Sequence, residues 1–188
     1  MKTIPTFLLA ACFIGSQAKA QQEANPMLAN AQTFIDVPYV AHTLETDGEE
    51  DLVINCDEVD CTTFVVYVLA LSLPSASGNK MSESDFAANL QRIRYREGKI
   101  DGYTSRLHYT SDWINNGVRG GFMEDVTAAN SPYTQKLSLS YMSSHPKLYK
   151  HLSNSPENVT RMAEYEKALS GQEIHWLPKD KLPANGLL

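Results

Sequence analysis

The feature that most restricts the fold is a long apolar run that follows a short polar start. Residues 59–72 read VDCTTFVVYVLALS, and every side chain from Phe64 to Leu71 is aliphatic or aromatic. A helix that is apolar on every side has to be buried, because none of its faces is suited to water. Pro74 and Gly78 follow and end the run. We therefore expect a core helix with Asp60 as its N-cap and Cys61 in its first helical position.

Extended segments are predicted on both sides of this helix. Residues 27–46 begin as a short helix and continue into an extended segment that contains proline. Residues 50–57, EDLVINCD, are typical of a strand, with three apolar side chains followed by turn-forming residues. Residues 102–121 show a mixture of extended and turn patterns.

Two more helices are predicted. The first covers residues 82–98, with Ser82 or Ser84 as its cap and three apolar side chains at helical spacing, which are Phe86, Leu90 and Ile93. The second covers residues 155–171, with Ser155 as its cap, Pro156 in the first position and Gly171 at its end. Helices mixed with extended segments in this way indicate an α+β fold.

The first 20 residues have the layout of a secretory signal peptide. One early lysine precedes an apolar stretch, which ends at Ala18-Lys19-Ala20 and is too short to span a bilayer. We expect cleavage after Ala20 and export to the periplasm or cell envelope. The stretch LAAC offers an alternative, in which Cys12 becomes the lipid anchor of a lipoprotein. We expect no membrane-spanning segment.

Charge and length restrict the function of the remaining chain. The net charge of −6 becomes −8 without residues 1–20, because that segment contains two lysines and no acidic residue. An acidic chain without a basic stripe is poorly suited to nucleic acid. Residues 21–188 are enough for one core, and no repeat or linker divides them. We expect a single domain over 21–188.

Beyond residue 20 the chain contains two cysteines, Cys56 and Cys61. Outside the cytoplasm they could form a short disulfide. That bridge requires alpha carbons less than about 7 Å apart, which a strand-to-helix turn does not guarantee. Alternatively, Cys61 is a buried structural thiol or a nucleophile.

The helix start alone does not activate a thiol. A helix N-terminus contributes about 0.3–1 kcal/mol, which is less than about one pK unit against a free-cysteine value of about 8.5. Three acidic residues close in sequence, Asp57, Glu58 and Asp60, act in the opposite direction. A nucleophilic cysteine at this position therefore needs a histidine partner. The five histidines form no His-Glu-x-x-His pattern and the cysteines lack zinc-finger spacing, so we expect no metal and no cofactor.

Several stretches resemble a known group of enzymes. FIDVPYVAHTLE followed by VDCTTFVVYVLAL is similar to the NlpC-like, papain-fold cysteine peptidases, in which a Pro-Tyr segment precedes an Asp-Cys pair at a helix start. DCTTF, SRLHYTSDWI, SYMSSHPKLY and IHWLPKDKL resemble more closely the branch called N-acetylmuramoyl-L-alanine amidase-like. The resemblance covers roughly residues 34–182. DCTTF together with RLHYTSDW is its specific part.

The resemblance implies an α+β fold of the papain-like, NlpC type and a hydrolase that cleaves amide bonds in peptidoglycan stem peptides. Muropeptides would then be its partners. Cys61 would be the nucleophile, with N–H groups of its helix start stabilising the oxyanion, and Tyr39 would line the pocket near the thiol. A second cluster would border the site and consist of Arg106, His108, Tyr109, Asp112 and Trp113. The planar guanidinium of Arg106 suits a muropeptide carboxylate.

The chain departs from the family pattern in two kinds of place, within the matched stretches and at its end. Family members tend to have glycine where Asp36 and His42 stand, and a Glu-Asn pair where Val66 and Tyr67 stand. Relatives also continue after LPKDKL with a Gly-Asp strand and a His-Val-Gly strand that carries the expected general base. The chain therefore resembles the N-terminal two-thirds of the domain, without the C-terminal strands.

These departures leave two functions open. The first is the cysteine amidase or peptidase, with His108 as the candidate base. The second is a catalytically incomplete protein that binds muropeptides in the cell wall and lacks the general base. In that case His108 has a binding or structural role.

Overall fold

The structure is a computed structural model that describes residues 26–75, 78 and 80–182. The predicted signal peptide, its cleavage site at Ala20 and the predicted lipid anchor at Cys12 lie outside these residues. The chain forms two compact units, of which the first ends at Ser105 and the second begins at Arg106. The described residues combine helices with one small sheet, which makes the protein an α+β protein.

Three helices build the first unit: α1 (Pro26–Gln32), α2 (Cys61–Ser72) and α3 (Glu83–Arg94). The predicted core helix is confirmed as α2, which packs against both α1 and α3. The helix predicted over 82–98 is α3, with Ser82 as its cap. It ends at Arg94 rather than at Gly98, because the chain turns there into a 3-10 helix, Arg96–Gly98, in which Glu97 has a left-handed φ of 53°.

Aromatic side chains fill the core of the first unit. Tyr67 on α2 stacks on Phe34 at 6.2 Å between ring centroids, and its other neighbour is Phe86 on α3 at 6.1 Å. Leu90 and Ile93, predicted to share the apolar face of α3, are fully buried. Tyr67 thus takes a central place in the core, at a position where the family pattern has a polar residue.

The strand predicted over residues 50–57 is wrong. Within the described residues the segment has no strand assignment, and side chains bind its backbone instead. The Tyr67 hydroxyl accepts a hydrogen bond from the Asn55 N–H (3.0 Å), and the Tyr95 hydroxyl donates to the Asp51 carbonyl (2.8 Å). Arg94 donates to the carbonyl of Val53 (2.5 Å). The apolar residues of this segment are therefore held against α2 and α3 without a sheet.

The second unit contains five helices and two strands: α4 (Thr110–Arg119), α5 (Thr127–Asn130), β1 (Thr134–Lys136), α6 (Tyr141–Ser144), α7 (Lys150–Ser153), α8 (Pro156–Leu169) and β2 (Glu173–His175). β1 and β2 are antiparallel, with Thr134 opposite His175. Short 3-10 helices lie at Pro146–Leu148 and Lys179–Lys181.

Helix α8 confirms the third predicted helix. The Ser155 side chain accepts a hydrogen bond from the Asn158 N–H (3.2 Å), and Pro156 is the first helical residue. Gly171 follows the helix with a φ of 84°, a conformation that glycine adopts without strain. By contrast, residues 110–119, predicted as part of a mixed segment, form α4.

Candidate functional site

Cys61 lies at the first position of α2, directly after the N-cap Asp60. The Asp60 carboxylate accepts hydrogen bonds from the N–H groups of Thr62 (3.0 Å) and Thr63 (2.8 Å). The Thr63 hydroxyl accepts the Asp60 N–H at 2.7 Å, which completes a reciprocal capping arrangement. Three of the four N–H groups at this helix start therefore have partners within the cap, and the fourth belongs to Cys61.

The Cys61 thiol is free and exposed. The short disulfide with Cys56 is therefore not formed, and Cys56 lies buried in the first unit. An exposed thiol at a helix start is accessible to a substrate, whereas a buried structural cysteine is not.

Tyr39 lies beside this thiol because its segment pairs with the residues that precede α2. The Val40 N–H donates to the Val59 carbonyl (3.0 Å), and the Val59 N–H donates to the Pro38 carbonyl (3.1 Å). These two bonds form a parallel bridge between Tyr39 and Val59, two residues before Cys61. The side chain of Tyr39 remains 71% exposed. The pairing thus holds an accessible phenol at the start of α2.

The electrostatics of Tyr39 show how close it is to Cys61. The charge of Cys61 and a hydrogen bond with its thiol are the main causes that raise the pKa of Tyr39, and slight burial and Asp60 act in the same direction. The backbone N–H of Cys61, which also contacts the phenol, lowers that pKa in part. A raised pKa keeps the Tyr39 hydroxyl protonated at neutral pH, so that it remains a hydrogen-bond donor.

Two residues with left-handed backbone flank the Tyr39 segment. Asp36 has a φ of 69° and His42 a φ of 66°. An L-residue is strained in this region by about 1–2 kcal/mol, although Asp and His tolerate it better than most. These are the two positions at which the family pattern has glycine. The backbone turns that glycine would favour are thus formed here by other residues.

A small cavity lies next to the same segment. Its volume is about 230 Å³, and its lining includes Asp36, Pro38, Cys56 and the aromatic ring of Phe34. Neither Tyr39 nor Cys61 lines it. This cavity therefore does not mark the place where the thiol would meet a substrate.

The other residues predicted for the site all lie in the second unit. Arg106 is only 6% exposed and Asp112 is buried as well, whereas His108 and Trp113 are partly exposed. The indole Nε1 of Trp113 is buried and has no hydrogen-bond partner within the described residues. Burial of a guanidinium is costly without compensating contacts, and at 6% exposed Arg106 is packed within the unit rather than presented to solvent.

Tyr109 precedes α4 and points into the second unit. Its hydroxyl donates to Oε1 of Glu166 on α8 at 2.6 Å. Burial, followed by this hydrogen bond, raises the pKa of Tyr109 to about 12. Tyr109 is therefore a protonated donor over the whole physiological range.

Glu166 is a residue of this cluster that sequence reasoning missed. It lies on α8 between Met162 and Leu169, at the spacing of the buried face of that helix. A carboxylate in an apolar stripe is the sequence signal that could have indicated it, because buried acids are rare unless hydrogen-bonded.

The structure thus brings Tyr39 and Cys61 together in the first unit. It places Arg106, His108, Tyr109, Asp112 and Trp113 along one stretch of the second unit. Among the residues that the structure describes, no group of three or more His, Cys, Asp or Glu side chains could hold a metal ion. No helix within the described ranges is long and apolar enough to cross a membrane.

The fold and the site define the class of the protein, and its similarity to known proteins gives the family. Fold and site define an α+β protein with an exposed thiol at the start of a core helix. The family model described as N-acetylmuramoyl-L-alanine amidase-like matches residues 29–188. The chain belongs to this N-acetylmuramoyl-L-alanine amidase-like family.

Solved structures support the assignment. Crystal structures of an N-acetylmuramoyl-L-alanine amidase from Bacteroides uniformis ATCC 8492 are 68% identical to the chain with a TM-score of 0.81. The 1.30 Å structure matches over 87% of this chain and 69% of the other, and the 1.07 Å structure over 86% and 67%. A proposed xylanase from Bacteroides fragilis is 70% identical over 85% of this chain and 69% of the other, with a TM-score of 0.79. No curated protein matches the chain.

Proposed function

We propose that the protein is an exported cysteine amidase of the papain-like, NlpC type that cleaves amide bonds in peptidoglycan stem peptides. The observation that carries this proposal is the free, exposed Cys61 at the first residue of α2, with the Tyr39 hydroxyl at its thiol. The family and the amidases among its structural neighbours support the substrate class.

The chemistry begins with the Cys61 thiolate. Its sulfur attacks the carbonyl carbon of the scissile amide, a C–S bond forms, and the carbonyl oxygen takes the negative charge. The C–N bond then breaks, and the amine leaves with a proton supplied by the general acid. Water attacks the resulting thioester, which releases the carboxylic acid and restores the thiol. This sequence needs no metal or organic cofactor.

The geometry favours a particular pair of donors for the oxyanion. The N–H groups of Thr62 and Thr63 donate to the Asp60 carboxylate and are not available to a substrate. The Cys61 N–H contacts the Tyr39 phenol rather than the cap, so a substrate oxygen that displaces this contact would meet both the Cys61 N–H and the Tyr39 hydroxyl. We assign the oxyanion to these two groups, because donors fixed in place before the reaction stabilise the developing charge most effectively.

The segment from Arg106 to Trp113 contains the other residues that the family resemblance offers for substrate binding. His108 stays the candidate that the sequence offers for the general acid–base group. Trp113, which is partly exposed, provides an aromatic surface, whereas the predicted role of Arg106 at a stem-peptide carboxylate requires that residue, which is 6% exposed, to become accessible.

The proposal for the cellular location rests on the first residues of the sequence. We propose that residues 1–20 direct export to the periplasm or cell envelope, which is where peptidoglycan is found. Lipidation at Cys12 is the alternative route to the same compartment. Mass spectrometry of the mature N-terminus separates the two, because one begins at Gln21 and the other at a lipidated Cys12.

The test of the function is hydrolysis of purified muropeptides, followed as new amino groups and by mass. We expect cleavage by the protein and none by Cys61→Ala. Thr62→Ala serves as the matched control, because Thr62 is the exposed neighbour of Cys61, and it should retain turnover. Xylan is assayed in parallel because one relative is a proposed xylanase. Muropeptide binding without hydrolysis would contradict the enzyme and support the binding protein, and xylan cleavage would contradict both.

A further inference from the structure

The second unit contains a buried carboxylate that the proposed reaction does not use. Glu166 on α8 is 2% exposed, whereas Glu157 and Glu164 on the same helix are exposed. Its burial places it between Met162 and Leu169 rather than in solvent. An acid in such a position costs several kcal/mol unless hydrogen bonds compensate for the lost water.

Four donors compensate for the burial of Glu166. Its Oε1 accepts hydrogen bonds from the Tyr109 hydroxyl (2.6 Å) and from the N–H groups of Met142 (2.9 Å) and Ser143 (3.2 Å). Its Oε2 accepts a hydrogen bond from the Ser143 hydroxyl. Hydrogen bonds to a charged acceptor are shorter and stronger than neutral ones. Glu166 therefore fixes α6 and Tyr109 to α8 at one point.

The contact between Glu166 and Tyr109 affects the neighbours of Tyr109 in the chain. Tyr109 follows His108 directly and lies three residues after Arg106, in the stretch that leads into α4. Its backbone is the N-cap of α4, but its side chain does not cap the helix. The phenol reaches α8 instead, so that the contact with Glu166 restrains the segment that contains Arg106 and His108.

We propose that Glu166 is a positioning residue, which acts through the Tyr109 hydroxyl to hold the segment 106–109 in the geometry that binds and processes the muropeptide. This proposal rests on the proposed function for its catalytic consequence. Its structural part, the restraint on residues 106–109, stands independently of catalysis. Because Glu166 is 2% exposed and acts through Tyr109, it is a positioning residue and not a catalytic one.

Two substitutions test the link, and a third provides the control. Tyr109→Phe removes the hydroxyl and keeps the ring, and Glu166→Gln keeps the shape but replaces one acceptor oxygen by a donor. Glu164→Gln makes the same change at an exposed site of α8. We expect KM for the muropeptide to rise about ten- to a hundredfold in the first two variants, because a small displacement of a substrate-binding segment has an effect of this size. KM should stay unchanged in Glu164→Gln.

Further readouts separate positioning from mere stability. The double variant should lose no more than the more impaired single variant, because both remove the same contact. The pH dependence of kcat/KM should shift in both variants, since its limb reports the group carried by the restrained segment. Additive losses, or a lower melting temperature with unchanged KM and pH profile, would overturn the proposal.

An activity-independent measurement distinguishes this proposal from the proposed function. Amide hydrogen exchange of residues 106–110 should accelerate in Tyr109→Phe and Glu166→Gln but not in Glu164→Gln. If the wild-type protein cleaves no muropeptide and this exchange pattern is still found, the proposed function fails and the restraint by Glu166 stands. Unchanged exchange at 106–110 in all three variants would overturn the role of Glu166, whatever the activity.

Discussion

Glycine at positions 36 and 42 should stabilise the protein. Asp36 and His42 have φ values of 69° and 66°, in the left-handed region that glycine occupies without a steric penalty. Relief of the left-handed strain is worth about 1–2 kcal/mol at each site, and the larger unfolded-state entropy of glycine offsets about 0.5–1 kcal/mol of it. We therefore expect the free energy of unfolding to rise by about 0.5–1 kcal/mol for Asp36→Gly and for His42→Gly.

Side-chain contacts do not complicate this balance. Within the described residues neither Asp36 nor His42 makes a side-chain hydrogen bond or ion pair, although Asp36 lines the small cavity beside Phe34. The backbone contact that remains, from the Glu45 N–H to the His42 carbonyl at 3.0 Å, does not depend on the side chain. The expected gain thus comes from the backbone alone.

Equilibrium urea denaturation, followed by circular dichroism, measures the effect. The matched control is Ala41→Gly, because Ala41 adjoins His42, is exposed and has no positive φ. Glycine there should lower the free energy of unfolding by up to about 1 kcal/mol. The melting temperature should move by about 2–4 °C for each kcal/mol in a chain of this size. If glycine destabilises all three positions alike, the argument from backbone strain is refuted.

Three further predictions follow from the contacts of single tyrosines. Tyr39→Phe should reduce muropeptide turnover by about 10²–10³-fold, which is the usual loss for one oxyanion donor. Substrate binding and the melting temperature should change little. Turnover equal to that of the wild-type protein would exclude Tyr39 from the oxyanion site. Tyr67→Phe should lower the free energy of unfolding by about 1 kcal/mol, because the Asn55 N–H loses its acceptor; a neutral result in urea denaturation would contradict that bond. Because the pKa of Tyr109 is raised to about 12 in the folded protein, the unfolded chain ionises first and stability should fall as the pH rises from about 10 to 12. That fall should be smaller in Tyr109→Phe, and an identical decline in both proteins would be evidence against the raised pKa.

Sequence reasoning predicted the elements whose signals are local. The apolar run with Asp60 before it predicts where α2 begins, and Ser155 with Pro156 does the same for α8. In both cases the residues that stabilise the helix start lie within a few positions of it. Such helices can be recognised without knowledge of the rest of the fold.

Predictions failed where distant residues decide the structure. Residues 50–57 resemble a strand, but Arg94 and Tyr95, about forty positions later, bind their carbonyl groups. Helix α4 contains Gly117 in its interior, and a glycine at such a position can indicate a turn. A Cβ at Gly117 would lie 3.0 Å from the Met123 side chain, so packing rather than a turn favours glycine here. Neither contact is visible in a local sequence pattern.

The candidate site also contains features that depend on local sequence and features that depend on distant residues. The position of Cys61 at a helix start follows from its neighbours in sequence. The occupation of the Thr62 and Thr63 N–H groups by Asp60, and the burial of Glu166, depend on side-chain geometry that residue types alone do not specify. The proposal that Tyr39 and the Cys61 N–H are the oxyanion donors therefore rests on structural detail rather than on residue types.

The central claim is that Cys61 attacks the substrate, and the most direct test is to trap the acyl-enzyme. The protein is mixed with a muropeptide, quenched in acid within one turnover, digested and analysed by mass spectrometry. We predict that the peptide containing Cys61 carries the acyl part of the substrate as a thioester, which hydroxylamine removes, and that Cys61→Ala shows neither this adduct nor turnover. Muropeptide cleavage that persists in Cys61→Ala without any adduct would contradict the account.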